Sequence, residues 1–308
     1  MSKQIQENFL ADGYFIAKQI VNEKKIEHVL ETLFKIYCKY NPSTKLLGLQ
    51  NPWQTNTFHE ELLEFRQREP ENFSLLYASA QTSSPVIELV SDHIIAEYSA
   101  NLLGTKNTEL SISEGMIRMD APSDKRNISG WHQEISYLRN NGLVVWIPLS
   151  DITQDLGRLQ ICPKSHHEGE LKVVRNHYTP NDKSTVAVDE IKPEYTAKYS
   201  KMYVDIQRGD ALFFDTRLFH KSGTNNSNLM RFSCQTRFSI ITEKDFVPFR
   251  ETKTYKKSVV DEVAIRHPAF SNNILLTDEQ AIAITNGANV VFTQETNDEK
   301  EKIRKNKS

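Results

Sequence analysis

Between Asn22 and the pair Asn41-Pro42, apolar side chains recur at Ile26, Val29, Leu30, Leu33, Phe34 and Tyr37. That alternating three-and-four spacing puts them on one side of a helix, with Asn22 as its N-cap and Asn-Pro as its stop. A second helix is predicted to start at Ser84-Pro85, where Val86, Leu89, Val90, His93, Ile94 and Leu102 form one stripe and Gly104 supplies the end. A weaker helical segment lies around residues 60–77. The first hundred residues are thus predicted to be mostly helical, covering one face of a sheet and carrying no chemistry.

From about Ser111 to Ile241 the period shortens to that of strands. Strands are predicted over Ser111–Met119, Trp131–Tyr137, Leu143–Pro148, Arg158–Cys162, Tyr203–Ile206, Ala211–Asp215 and Arg231–Ile241. Turn residues separate them, at Asn140-Asn141-Gly142, Asp155-Leu156-Gly157 and Arg208-Gly209-Asp210. Short strands with regular turns point to a sandwich or jelly roll and away from a parallel α/β sheet. The stretch 168–201 has no clear periodicity and is long for a structureless loop, so it is the candidate lid or substrate-contact segment. Residues 297–308 are almost wholly polar and charged and are predicted to be a disordered tail.

Composition narrows the class of protein but not the chemistry. The 308 residues are 38% hydrophobic and 25% charged, as in an ordinary globular protein. A formal net charge of −2 gives no reason to expect nucleic acid or an anionic membrane as partner. Cys38, Cys162 and Cys234 are widely spaced and odd in number, which argues against a disulfide framework and suits a cytoplasmic protein. The opening residues contain no apolar signal-like stretch, and no apolar run approaches a membrane span.

The chemistry is carried by two short segments. In Trp131-His132-Gln133-Glu134 a histidine and a carboxylate are one residue apart, and on a strand positions i and i+2 face the same way. A second imidazole from His220, in His220-Lys221-Ser222, would complete two histidines and one carboxylate on one face of a metal. The opposite face then stays open for small ligands, as in non-haem Fe(II) oxygenases.

These segments also sit in a longer ordered set of motifs. Asp12-Gly13-Tyr14-Phe15, the His132 segment, Trp146 to Asp151, Gly157-Arg-Leu, Pro163-Lys-Ser-His166, Gly209-Asp210-Ala-Leu-Phe, His220-Lys-Ser222, Asn226-Ser227 and Arg231 together resemble the phytanoyl-CoA dioxygenase family, from about residue 8 to 240. The resemblance implies a mostly β, α+β fold: a double-stranded β-helix (jelly-roll, cupin-like) core flanked by N-terminal helices. It also implies Fe(II), 2-oxoglutarate as co-substrate, O2, and hydroxylation of an unactivated C–H bond. The family usually has Asp two residues after the first histidine, where this chain has Glu134. On this reading residues 1–296 are one domain, with a helical part to about 108, a core at about 109–245 and a C-terminal extension at about 246–296.

His132, Glu134 and His220 are therefore the expected metal ligands, leaving two positions for the 2-oxo acid and one for O2. Glu reaches roughly one bond further than Asp but retains a carboxylate; Ala or Gly there would instead suggest a halogenase. Arg231 is the expected anchor for the distal carboxylate of 2-oxoglutarate, because a guanidinium offers a permanently charged fork, with Ser222 as a further donor. Arg237 shares the face of Arg231 by parity and is the rival for that role. Gln133 should face away from the metal, and Trp146 should fill the barrel or line its pocket. His166 and His167 are read as structural, and His177 as a substrate contact. Arg118, Lys125 and Arg126 are where counter-charge for an anionic substrate would lie, with solvated charge as the commoner explanation. Cys162 and Cys234 are expected to be small core residues. The substrate is expected to be a small molecule or a carrier-linked group. A jelly-roll binding protein without catalysis and a metal oxygenase or isomerase independent of 2-oxoglutarate are the alternatives.

Overall fold

The computed structural model describes residues 3–124, 130–138, 140–171, 174–175 and 189–248. Lys125, Arg126, His177, much of the 168–201 segment and nearly all of the C-terminal extension and tail lie outside them. Met1–Val247 make one compact unit. Its elements in order are α1 (Lys3–Asp12), β1 (Tyr14–Ala17), α2 (Glu23–Tyr40), α3 (Asn56–Arg68), α4 (Pro70–Gln81), α5 (Ser84–Val90), α6 (His93–Leu103) and β2 (Leu110–Asp120). There follow α7 (Ile135–Leu138), β3 (Gly142–Pro148), β4 (Gln160–Ile161), β5 (Val174–Arg175), β6 (Asp189–Glu190), α8 (Pro193–Thr196), β7 (Met202–Tyr203), β8 (Ala211–Asp215), β9 (His220–Lys221) and β10 (Arg231–Ile240).

The helical stripes fold as their spacing dictates. Asn22 caps α2 by accepting from the Lys24 amide, and Ile26, Val29, Leu30, Leu33 and Tyr37 are buried. The second predicted helix is in fact two. Asp92 interrupts it, capping α6 through the Ile94 amide at 2.8 Å and pairing with Lys25 of α2 at 2.7 Å. The 60–77 segment is likewise divided, because Pro70 starts a new helix and cannot continue the old one.

The strands form a five-stranded antiparallel sheet, in the order β1-β8-β3-β10-β2, and a three-stranded sheet, in the order β7-β4-β9. Period-two alternation on the larger sheet separates two cores. Leu143, Val145, Ile147, Phe213, Phe232, Cys234 and Phe238 pack against the helices, whereas Val144, Trp146, Leu212 and Phe214 turn into the space between the sheets. This is the jelly roll with N-terminal helices that the sequence motifs imply. Cys234 belongs to the helix-side core, and Cys162, also buried, packs with Ile191 and Phe219.

One predicted strand is corrected. Trp131–Tyr137 contributes a single bridge at His132, after which the chain turns at Glu134 into the short helix α7. The buried Gln133 side chain is tied to Gly169, Arg217 and Leu171, and the Ser136 hydroxyl donates to the Gln133 carbonyl, so the segment cannot continue extended. β4 and β7 are also shorter than predicted, and β1 is a strand the pattern did not show. β1 is held residue for residue along β8, from Tyr14 opposite Phe214 to Ala17 opposite Ala211.

Phe213 joins sheet to helices, its ring 5.8 Å from Tyr98 and 6.5 Å from Phe15. Truncating this fully buried ring is expected to cost about 3–5 kcal/mol. Urea unfolding of Phe213→Ala followed by circular dichroism should show that loss; a cost below about 1 kcal/mol would contradict the packing described.

Candidate metal centre

The inner face of the barrel brings together residues far apart in sequence. His132 and His220 form a reciprocal backbone bridge, His132 N donating to His220 O at 3.0 Å and His220 N to His132 O at 3.2 Å. Three residues on, the Ile135 amide donates to Thr216 O at 3.0 Å, so the segment is fastened to the strand approach carrying His220. Side chains opposed in this way lie close, and the two imidazole centroids are 4.1 Å apart. The turn at Glu134 then swings its carboxylate in beside them. Glu134 Oε1 lies 3.7 Å from His132 Nε2 and 3.4 Å from His220 Nε2.

Each ring is oriented from behind. His132 Nδ1 lies 2.8 Å from the Gly130 carbonyl and His220 Nδ1 2.9 Å from the Leu218 carbonyl. A carbonyl only accepts, so Nδ1 carries the proton and Nε2 presents its lone pair to the shared space. Burial, with the His132 imidazole close by, holds the His220 pKa below its ordinary value against the opposing pull of Glu134. It is therefore a neutral donor at neutral pH. Burial alone would raise the Glu134 carboxyl, but the Arg237 guanidinium and the two imidazoles outweigh it and hold the group well below the usual carboxylate range.

Together the three ligand atoms lie within 4.8 Å of one another, the one such group of His, Cys, Asp and Glu donors among the described residues. Two imidazoles and one carboxylate suit a ferrous ion. For bonds of about 2.1 Å, donors at octahedral or tetrahedral angles stand about 3.0–3.4 Å apart; Glu134 Oε1 is at 3.4 Å from His220 Nε2 and somewhat further, 3.7 Å, from His132 Nε2.

Arg231 is buried among acceptors. It donates through Nε and Nη2 to Asp120 Oδ2 at 3.2 and 2.9 Å, and through Nη1 to the carbonyls of Gly157 and, at 3.2 Å, Gly223. Four of its five N–H groups are so used among the described residues, which leaves one on Nη2. Gly157 makes this cradle feasible: its φ is +88°, and a Cβ there would stand 2.8 Å from Arg231 Nη1. Arg231 and Ser222 line the same pocket as His132, Glu134 and His220, with Arg118, Asp120, Trp146 and Gln235. Ser233, on the same strand face between Arg231 and Gln235, has a buried hydroxyl with no hydrogen-bond partner among the described residues. A permanently charged donor lining the pocket beside the three ligand atoms fits a carboxylate-bearing co-substrate.

Other expectations resolve as follows. Gln133 faces away from the triad, into backbone contacts. Trp146 both fills the barrel core and lines the pocket. His166 and His167 are structural, with Nε2 atoms 3.0 and 3.2 Å from the Leu10 and Ala11 carbonyls at the end of α1. Arg118 lies on the inner face beside Asp120 at 3.1 Å and is not a solvated loop charge. Arg237 does not share the surroundings of Arg231, since it holds Glu134. Asp120 as partner of Arg231, and Arg237 as partner of Glu134, were not found from sequence. Inward parity on β2 and β10 was the only available signal for either.

With the fold and the triad in place, the comparisons agree. The chain belongs to the phytanoyl-CoA dioxygenase (PhyH) family, whose model matches residues 9–233. Among solved structures, one of EctD from S. alaskensis with bound Fe is 17% identical, with 81% of this chain and 80% of that chain covered at a TM-score of 0.51. One of the non-heme alpha ketoglutarate dependent epimerase SnoN from nogalamycin biosynthesis is 15% identical, with 80% and 87% covered at a TM-score of 0.50. At these identities the likeness speaks to the fold. No curated protein matches the sequence. The family makes the chain a member of the Fe(II)- and 2-oxoglutarate-dependent oxygenases, and the donor set described here fits both cofactors. No helix among the described residues is long and apolar enough to cross a membrane.

Removing a ligand should abolish metal retention, while removing a structural histidine should not. Anaerobic equilibrium dialysis is expected to show one Fe(II) per chain for the wild type and for His166→Ala, and none for His132→Ala or His220→Ala. His166→Ala should instead lose about 1–3 kcal/mol of stability, because it removes a buried hydrogen bond. Metal retained by both ligand variants would refute the assignment.

Proposed function

We propose that this protein is a hydroxylase in which His132, Glu134 and His220 ligate Fe(II), and Arg231 with Ser222 binds the distal carboxylate of 2-oxoglutarate. Its substrate is a small molecule or a carrier-linked group. The observation that carries this reading is the convergence of three buried donors on one point, in a pocket that also contains a guanidinium. When bound, iron and 2-oxoglutarate supply the oxidation: O2 and the 2-oxo acid become CO2 and succinate, and one oxygen atom is inserted into a substrate C–H bond.

The chain's own residues bind and orient. The carbonyls of Gly130 and Leu218 keep both imidazoles in the tautomer that presents Nε2. Arg231 lines the pocket together with the three residues that would hold the metal. A divalent ion held there would add positive charge beside that guanidinium, and a dicarboxylate is a ligand that offsets it. Trp146, Leu159 and Phe214 give the pocket apolar walls that limit water around the reacting centre. The carboxylate at Glu134 occupies a position that a halide would need in a halogenase, which favours hydroxylation. The whole proposed apparatus lies within Met1–Val247.

Anaerobic addition of Fe(II) and 2-oxoglutarate is expected to give the weak visible charge-transfer band of the chelate, and admitting O2 should yield succinate. Arg231→Ala should raise the 2-oxoglutarate requirement by orders of magnitude. Gly157→Ala should shift it the same way by less, because its Cβ presses on the Arg231 cradle. A wild type without the band would refute the hydroxylase reading. Turnover indifferent to Arg231→Ala would indicate a metal enzyme that does not use 2-oxoglutarate, and succinate unaffected by His220→Ala would indicate a protein without catalysis at this site.

A further inference from the structure

We propose that Arg237 is a positioning residue for the metal centre, gripping one oxygen of Glu134 so that only the other faces the two imidazoles. The inference rests on the iron reading above and goes beyond it. Arg237 donates from Nε to Glu134 Oε2 at 3.0 Å, and its Nη2 is ion-paired with the same oxygen at 2.9 Å. The other oxygen, Oε1, is the one 3.4 and 3.7 Å from the histidine nitrogens. The two carboxylate oxygens therefore have separate duties.

The physical case is one of torsional freedom and of valence. A glutamate side chain has three rotatable bonds, and a free carboxylate in this space could swing away or present both oxygens to a cation. One charge-assisted hydrogen bond and an ion pair on Oε2 reduce that freedom, and the fixed carboxylate angle then sets where Oε1 points. Holding Oε2 would also disfavour binding of a metal through both carboxylate oxygens. Arg237 and Glu134 are 3% and 4% exposed, so water does not compete for the contact.

The chain builds this grip from the regularity of β10. Arg231 and Arg237 both face the barrel interior, because the pairing of β10 with β3 runs without slip from Ser233–Pro148 to Ser239–Gly142. Arg231 meets Asp120, and Arg237 meets Glu134. Arg118 also lies close to Arg237 and opposes its charge. The two arginines that looked like rivals for one task are thus divided between co-substrate and metal.

Co(II), which is stable in air and visibly coloured, separates these roles. Wild type, Arg237→Gln, Arg237→Lys and His220→Ala are titrated with Co(II), and both affinity and d–d absorption are read. Circular dichroism of the apo forms monitors folding. Arg237→Gln is expected to bind Co(II) about 10–100-fold more weakly, with a changed band intensity as the carboxylate is released, and Arg237→Lys to recover part of both. Wild-type affinity and spectrum in Arg237→Gln would overturn the proposal, as would unchanged metal binding with a raised 2-oxoglutarate requirement, which would return Arg237 to the co-substrate. If Arg237→Gln does not fold, Arg237→Lys decides: a wild-type band and affinity count against the grip, and an intermediate loss counts for it. A wild type that binds no Co(II), or binds it without need of His220, would sink the iron reading itself and this proposal with it.

Discussion

The site depends on one pair of backbone hydrogen bonds, those exchanged between His132 and His220. The two histidines are 88 positions apart, and neither lies in a long strand. The reciprocal bridge fixes their Cα atoms opposite each other, so both rings must share one side of the chain. The Gly130 and Leu218 carbonyls then fix ring rotation and tautomer. Without that bridge the triad would be three unrelated side chains on two loops.

Around the bridge the barrel interior is unusually charged for a core. Buried ions are tolerated only when they are paired and hydrogen-bonded. Here β10 and β2 supply the pairs, Arg231 with Asp120 and Arg118 beside it, and the Arg237–Glu134 contact joins β10 to the turn after the bridge. The outer face of the same sheet is apolar at Phe232, Cys234, Phe213 and Val145, where it meets the helices. Period-two alternation therefore does two things at once. It builds the hydrophobic layer that stabilises the fold, and it lines the cavity with groups suited to a metal and a dicarboxylate. A polar interior of this kind is costly for stability, which is the usual signature of a site kept for chemistry.

Much of this was legible in the sequence, for physical reasons that differ by element. The α2 stripe was readable because an amphipathic helix must repeat its apolar positions, β3 and β8 because they are apolar runs bounded by turns, and β10 because polar and apolar residues alternate along it. The triad was readable from its residue types, yet the stated route to it was wrong in part. His132 and Glu134 converge through a bridge and a turn, not through strand parity. What selects that turn is the tertiary anchoring of Gln133 to Gly169 and Arg217, which no local pattern contains. The partners of Arg231 and Arg237 were hidden for the same reason. Parity showed that both point inward, but which carboxylate each would meet depends on the register with β2 and on the fold of the 131–135 segment. The break at Asp92 was missed because the apolar stripe runs on through it.

The most direct test of the account is a crystal structure of the protein grown anaerobically with Mn(II) and 2-oxoglutarate, with the metal located by anomalous scattering. The account predicts a single peak about 2.0–2.3 Å from His132 Nε2, Glu134 Oε1 and His220 Nε2, with the distal carboxylate of the co-substrate against Arg231 and Ser222. A peak elsewhere, or density for 2-oxoglutarate pointing away from Arg231, would contradict it.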